Sequence, residues 1–236
     1  MNASLDEVLL DAAIAGRRGP TLRFWAWSGK AVILGRHQSV ANEVRENVLR
    51  DESIELSRRM TGGGAMYSEP DRVITYSMIF PDSAVDGLTL VESFEHCDRW
   101  AVEALRHLDV DASYKPINDI VSPVGKIGGA AQFRRDGWVL HHTMIAHSID
   151  LDAMCRVLRI GEVKLSDKGV RSAVKRVSPL AALSGQSREA MREGMIDFVR
   201  SRWTTSPSAL RSEELVEAER LVTAKYGTLD WKRKIL

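Results

Sequence analysis

The chain is short of sulfur and has no surplus of charge. Only two cysteines, Cys97 and Cys155, occur in 236 residues, too few for a disulfide framework. Lys and Arg number 33 against 32 Asp and Glu, a net charge of +1. Bulk electrostatics therefore do not point to nucleic acid or an anionic membrane. No apolar run approaches the roughly 20 residues of a membrane span. The opening Met1-Asn2-Ala3-Ser4-Leu5-Asp6-Glu7 lacks a basic n-region and an apolar h-region, so no secretory signal is expected. No internal repeat or low-complexity tract occurs. No Cys/His/Asp spacing suits zinc, and His141 and His142, adjacent on an expected strand, point to opposite faces. What is present is ordinary for a globular protein: 44% hydrophobic and 28% charged residues. The length suits one large domain, or a domain with a small appendage, with a core that needs neither disulfide nor metal.

Both cysteines fall in helical apolar stripes. Cys97 lies with Leu90, Phe94, Ala101, Leu105 and Leu108, and Cys155 with Leu151, Met154 and Leu158. They are expected to pack as small hydrophobes rather than to act as nucleophiles or pair. A reducing cytoplasm fits this usage.

Along the chain, residues 3–16 read as a helix with Ser4 as N-cap and Asp6 and Glu7 at its positive end. Leu22 to Trp27 and Lys30 to Leu34 read as strands joined by a Ser28-Gly29 hairpin turn. Gly35-Arg36-His37-Gln38 follows, where Arg36 or Gln38 can reach a cleft. Val40 to Leu49 reads as a helical connection and Ile54 to Arg59 as a strand. Residues 73–80 are apolar on both faces, a central strand. Leu90 to Leu108 is a long amphipathic helix, and Asp109 to Tyr114 a short strand. Trp138 to Ser148 is a further strand. Leu151 to Leu158, Arg188 to Trp203 and Ser212 to Tyr226 are helices, the last two separated by a turn-rich boundary at Thr204 to Ala209. The basic run from Lys164 to Arg176 reads either as a solvated loop or as a lid or carrier-docking segment.

Two stretches carry chemistry. The first is Arg58-Arg59-Met60-Thr61-Gly62-Gly63-Gly64-Ala65-Met66-Tyr67. Three glycines let main-chain N–H groups approach a bound group and form a nest for an anion. An arginine fork suits phosphate or carboxylate. The alternative is a tight hairpin flanked by surface arginines. No Gly-Lys-Ser/Thr follows and the G-x-G-x-x-G spacing is missing, which excludes a P-loop and a dinucleotide fingerprint. The second stretch is Asn118-Asp119-Ile120, a turn, and Gly125-Lys126-Ile127-Gly128-Gly129-Ala130-Ala131-Gln132. Lys126 reads as a turn charge or as a functional cation.

Taken in order, these pieces resemble the lipoate–protein ligase family and its relatives, the octanoyltransferases and biotin ligases. Further matching pieces are Leu5-Asp6-Glu7, Leu34-Gly35-Arg36-His37-Gln38, His141-His142, Lys164-Leu165, Lys168-Gly169, Arg176-Val177, and Lys225-Tyr226 with Trp231. The resemblance implies an α+β fold with a mixed β-sheet core flanked by helices, like biotin ligases and class II aminoacyl-tRNA synthetases. It implies activation of lipoate by ATP, with Mg²⁺, and transfer of the lipoyl group to a lysine of a lipoyl carrier protein. Residues 1–203 are then the catalytic domain and 204–236 a helical segment packed on it, without an accessory domain. That domain is then a separate polypeptide, or the chain is a single-domain transferase.

By the same resemblance Lys126 contacts the acyl carbonyl and the phosphate. Arg59, Gly64, Ala65, Met66, Tyr67, Asn118 and Asp119 join it at the nucleotide, with Asp119 as the metal candidate. Arg59, Thr61, Gly62, Gly63, Gly128 and His142 face the acyl group, and the small Gly128 and Gly129 leave room for its chain. Two departures leave the acyl substrate open. Ser68 stands where many relatives have histidine, and Thr143-Met144 follows His142 where many ligases have Gly-Thr. An acyltransferase working without ATP, which in this superfamily generally uses a cysteine acyl-enzyme, and a non-catalytic carrier-binding module are the alternatives. Neither cysteine lies on the strand before Asn118 or beside Lys126, which favours the ligase.

Overall fold

The structure, a computed structural model, describes residues 1–159 and 177–235. The expected basic run from Lys164 to Arg176 lies outside them. The fold is α+β. Six strands form an antiparallel sheet in the order β1 (Thr21–Trp25), β5 (Val73–Pro81), β9 (Trp138–Ala146), β8 (Gly125–Arg135), β7 (Asp119–Ser122) and β6 (Ser113–Lys115). A small sheet pairs β2 (Ala31–Leu34) parallel with β3 (Glu55–Arg58) and antiparallel with β4 (Met66–Ser68). The mixed pairing is thus confined to the small sheet. The expected hairpin between the first two strands does not form, because β1 joins the large sheet and β2 the small one.

Periodicity assigns the layers. On β5, Ile74 and Tyr76 pack with Trp100, Ala101 and Leu105 of α4 (Leu90–His107). Helix α4 opens with a capping box, Thr89 and Glu92 each satisfying the other's backbone N–H. Of its expected stripe, Phe94, Cys97, Ala101 and Leu105 are buried, whereas Leu90 is 58% exposed. The opposite face of the large sheet meets α1 (Asn2–Ile14), with Leu9, Leu10 and Ala13 against Ile79 and Leu140.

Helix α1 begins earlier than its polar residues suggest. Ser4 lies inside the helix and its Oγ donates to Met1 O at 2.6 Å; it is not the N-cap. Asp6 and Glu7 are buried, so they find tertiary partners rather than the helix dipole. The small sheet packs Val32, Leu34 and Tyr67 with α2 (Val40–Glu43), α3 (Glu46–Asp51) and α5 (Leu151–Val157) around Val40, Leu49 and Met154.

After α6 (Leu180–Ser184) and α7 (Arg188–Arg202), the chain reaches α8 (Ser212–Leu221), a π-helical turn at Val222–Tyr226, and α9 (Leu229–Lys232). Ala218 of α8 packs on Leu5 and Val8 of α1, beside an Arg18 Nε–Glu214 Oε1 ion pair of 2.6 Å. No described helix is long and apolar enough to cross a membrane.

Candidate active site

The glycine loop is organised by the side chain of Arg59. Arg59 is 4% exposed, and its guanidinium is turned inward. It donates to Ile33 O at 3.1 Å, Gly62 O at 2.6 Å and Gly64 O at 2.8 Å. Burial pushes its pKa down to about 10. Its fork therefore grips the loop from within rather than extending freely from it. Gly35 has the closest steric requirement. A Cβ there would lie 2.1 Å from Gly63 O, so the β2 exit and the loop pack backbone to backbone. Gly63 itself has φ +87°, a conformation that glycine adopts without strain.

Lys126 is aimed by a β-bulge. Between β7 and β8 the partners run Ile120–Gly128 and then Val121–Lys126, so Ile127 is an extra residue on β8. Ile127 drops into the core with α4. The shift places Lys126 on the same side as Gly129 and Asp119. Lys126 Nζ donates to Asp119 Oδ1 at 2.5 Å. A Cβ on Gly129 would stand 2.8 Å from that Nζ, and one on Gly128 would stand 2.9 Å from Met144 O. Of the two glycines expected to leave room for the acyl chain, Gly129 lines the cavity described below and Gly128 does not. Gly129 makes space for the ammonium, and Gly128 permits close approach of β9. Asn118 Nδ2 donates to Ala130 O, and Ala130 N returns a bond to Asn118 O at 2.9 Å, which ties the β7 entry to β8.

The two histidines face opposite ways, as strand geometry requires. His141 is fully buried toward α4, where Asp98 Oδ1 also accepts from Tyr76 and Thr143. His142 faces α1. Its Nδ1 lies 3.2 Å from Asp6 Oδ2, and Asp6 Oδ1 accepts from Arg23 at 2.6 Å. Burial works against the charged form of Asp6, but Arg23 and His142 outweigh it and hold the carboxyl below its usual range. Burial also keeps the His142 pKa below its ordinary value, against the pull of Asp6. A neutral ring with Nδ1–H on Asp6 leaves Nε2 to accept from Thr61 Oγ1, 2.8 Å away.

These groups surround a cavity of about 230 Å³. Arg59, Gly64, Ala65, Met66, Asn118, Lys126 and His142 all line it. Six expected site residues do not. Tyr67 is turned into the core of the small sheet, because alternation sends it to the side opposite Met66. Thr61 is fully buried behind His142. Gly62 and Gly63 serve Arg59 and Gly35, Gly128 serves β9, and Asp119 stands behind Lys126. Arg36 and Gln38 do not reach the cavity either. Arg36 lies over the Phe133 ring, and Gln38 caps Gly35 N.

Among the wall residues to which the sequence reading gave no site role are Asp6 on α1, Trp25 and Trp27 at β1, and Val222, Tyr226 and Gly227 near the C-terminus. The tryptophans carried a signal in their i, i+2 spacing, which puts both on one face. Neither cysteine lines the cavity. Cys97 sits on α4 with its thiol pushed up to about 12 by burial, and burial also raises Cys155. Among the described residues no group of three His, Cys, Asp or Glu could hold a metal ion. A phosphate-held Mg²⁺ asks for only one or two carboxylates, and Asp119 is one beside Lys126.

An α+β scaffold with a cation-walled cleft floored by an antiparallel sheet has close counterparts. The family model for the lipoyl protein ligase A/B catalytic domain matches residues 1–199. An octanoyltransferase LipM of Symbiobacterium thermophilum is 28% identical, over 99% of this chain and 93% of its own. A structure of a bi-partite lipoate protein ligase and its E2 lipoyl domain, from Thermoplasma acidophilum, superposes with a TM-score of 0.84 at 28% identity, covering 99% of this chain and 92% of the other. A lipoate-protein ligase A bound with ATP gives a TM-score of 0.84 at 26% identity, over 99% and 93%. The chain belongs to the lipoyl protein ligase A/B catalytic domain family. Its relatives include both ligases and octanoyltransferases.

Proposed function

We propose that the chain is an ATP-dependent lipoate–protein ligase. A carboxylate oxygen of lipoate attacks the α-phosphorus of ATP and pyrophosphate leaves. The neutral ε-amine of a carrier lysine then attacks the acyl carbonyl of lipoyl-AMP. AMP leaves and the amine proton passes to solvent. Lys126 stabilises the negative charge on the acyl oxygen and the phosphate, and Asp119 keeps its ammonium oriented. Arg59 acts mainly through the loop it holds, presenting Gly64, Ala65 and Met66 to the nucleotide. Asn118 fixes the entry to β7 beside it. His142, held by Asp6, contacts the acyl group. Of this chain's residues Asp119 would help hold Mg²⁺, which would supply charge neutralisation when bound with the nucleotide.

The observation that carries this choice is the position of the two thiols. A transferase that carries the acyl group on cysteine needs a thiolate at the reacting carbonyl. Cys97 lies across the sheet on α4, 2% exposed, and Cys155 lies on α5. Both are free, which fits the reducing cytoplasm. An octanoyltransferase is the second reading, favoured by the identity with the Symbiobacterium thermophilum LipM. We take residues 1–203 and 204–236 as one catalytic unit. Its substrate is a lipoyl carrier protein, of the kind that the bi-partite ligase of Thermoplasma acidophilum has in its E2 lipoyl domain.

The test is intact-mass analysis of a lipoyl carrier domain incubated with the protein, lipoate and Mg²⁺, with and without ATP, and with octanoyl-carrier as alternative donor. A lipoyl mass gain that needs ATP is the expected result. A gain from the octanoyl donor alone, without ATP, would establish the transferase.

A further inference from the structure

The family match ends at residue 199, yet Val222, Tyr226 and Gly227 line the cavity. We infer that the π-helical turn at Val222–Tyr226 is the side wall of the acyl-chain pocket, with Val222 a specificity-determining residue for the width of the acyl acid. This rests on the ligase reading and assigns to the C-terminal segment a part in binding substrate.

The turn is held in a defined place. Gly227 N donates to Val222 O at 2.7 Å, the five-residue step that closes a π turn. A Cβ on Gly227 would stand 2.7 Å from the same oxygen, so the tight return requires glycine. From the turn, Tyr226 OH donates to Glu7 Oε2 at 2.6 Å, and Lys225 Nζ donates to both Glu7 oxygens at 2.9 and 2.6 Å. The Lys225 ammonium lies 4.5 Å from the Trp231 ring centroid. Trp231 Nε1 donates to Arg58 O at 2.9 Å, and Arg58 Nε donates to Trp231 O at 3.0 Å.

The anchors are sequence neighbours of cavity residues. Glu7 follows Asp6, and Arg58 precedes Arg59. In each pair one side chain serves the cavity and the other clamps the C-terminal segment.

The chemistry of the wall selects its ligand. Lys225 and the Tyr226 hydroxyl are committed to Glu7, so the turn offers the cavity an aliphatic side chain, an aromatic ring and glycine backbone. Met1, Trp25 and Trp27 line the same cavity, with the indole N–H groups turned to Ser77 and Thr75 of β5. Asp6, on the same helix as the turn's anchor Glu7, adds a carboxylate to the cavity wall, which disfavours phosphate beside it. An apolar acyl chain suits such a surface. The cations a nucleotide needs come from other elements, Lys126 on β8 and Arg59 after β3.

The experiment is calorimetric titration of the full chain, and of Val222→Leu and Val222→Trp, with lipoate, octanoate and, separately, ATP. Added bulk in the wall is expected to weaken lipoate in the order Leu then Trp, by about tenfold or more for Trp, the scale on which apolar pockets discriminate. ATP binding and the melting temperature stay near wild type, which separates a filled pocket from a failed fold. Octanoate, lacking the dithiolane ring, is expected to lose less than lipoate. Wild-type lipoate affinity in both folded variants would overturn this assignment and leave the ligase reading standing. A wild-type protein that binds no lipoate would overturn both.

Discussion

Arg58 and Arg59 are consecutive and buried, and they point into different parts of the molecule. Arg58 reaches Gly35 O and Gln38 O after β2 and Trp231 O and Lys232 O in α9. Arg59 reaches Ile33, Gly62 and Gly64. Among the described residues neither has an ion-pair partner, so both charges are solvated by carbonyl dipoles. One arginine shapes the loop and the other fastens the chain's last helix behind it.

Replacing Arg58 by Met leaves several carbonyls without donors. A loss of about 3 kcal/mol in unfolding free energy is expected, read by urea titration. Proteolysis within residues 212–235 should become faster, because α9 loses its tether.

Lys126→Ala is expected to lower lipoyl transfer by about a hundredfold or more, the scale of a lost electrostatic stabiliser, with circular dichroism unchanged. Among the described residues the half-exposed Lys126 side chain bonds only Asp119, so the fold is not expected to depend on it. Turnover at the wild-type rate would remove it from the mechanism.

Two neighbouring glycines separate stability from activity. Gly129→Ala meets the movable end of Lys126 and should cost activity with little loss of stability. Gly128→Ala meets the backbone at Met144 and should cost about 1–3 kcal/mol. Melting temperatures and transfer rates of the two variants, measured side by side, check the contrast.

Cys97→Ala and Cys155→Ala are each expected to keep transfer activity. Cys97→Ala should lose about 1 kcal/mol or less for a small vacated volume. Loss of activity in a folded single variant would point to the transferase.

Acid should destabilise the protein through His142 and Asp6. The unfolded imidazole takes up a proton near pH 6.5, while burial holds the folded ring neutral to lower pH. Below about pH 6.5 the unfolded state therefore binds more protons, and stability falls toward the folded pKa. Asp6, with its folded pKa depressed despite burial, by Arg23 and His142, adds a loss of the same sign below about pH 4. Thermal melts between about pH 7.5 and 5.5 read the first effect, and His142→Gln should flatten that slope. An unchanged slope would assign the protons to another group.

Much of this protein was legible in its residue order. The α4 stripe, the apolar run of β5, the opposed histidines and the packed cysteines all follow from periodicity, because side-chain direction within one element is a local property. The glycine loop and Lys126 were legible as candidate site groups for the same reason. Their residue types carry the conformational freedom and the charge wherever they are placed.

What only the tertiary structure decided was which way those groups face and what they touch. Strand pairing separated β1 from β2 and replaced the expected hairpin with two sheets. The bulge at Ile127 turned Lys126 to the cavity, and a bulge exists only between two paired strands. Asp6 and Glu7 read as helix-end charges until Arg23, His142, Lys225 and Tyr226 came to meet them from distant parts of the chain. The cavity's C-terminal wall had no local signature, since a wall is defined by what lies opposite it. The sequence determined the elements and the inventory of groups. The long-range contacts chose the partners, because burial leaves each polar group only the donors and acceptors that the packed fold brings within reach.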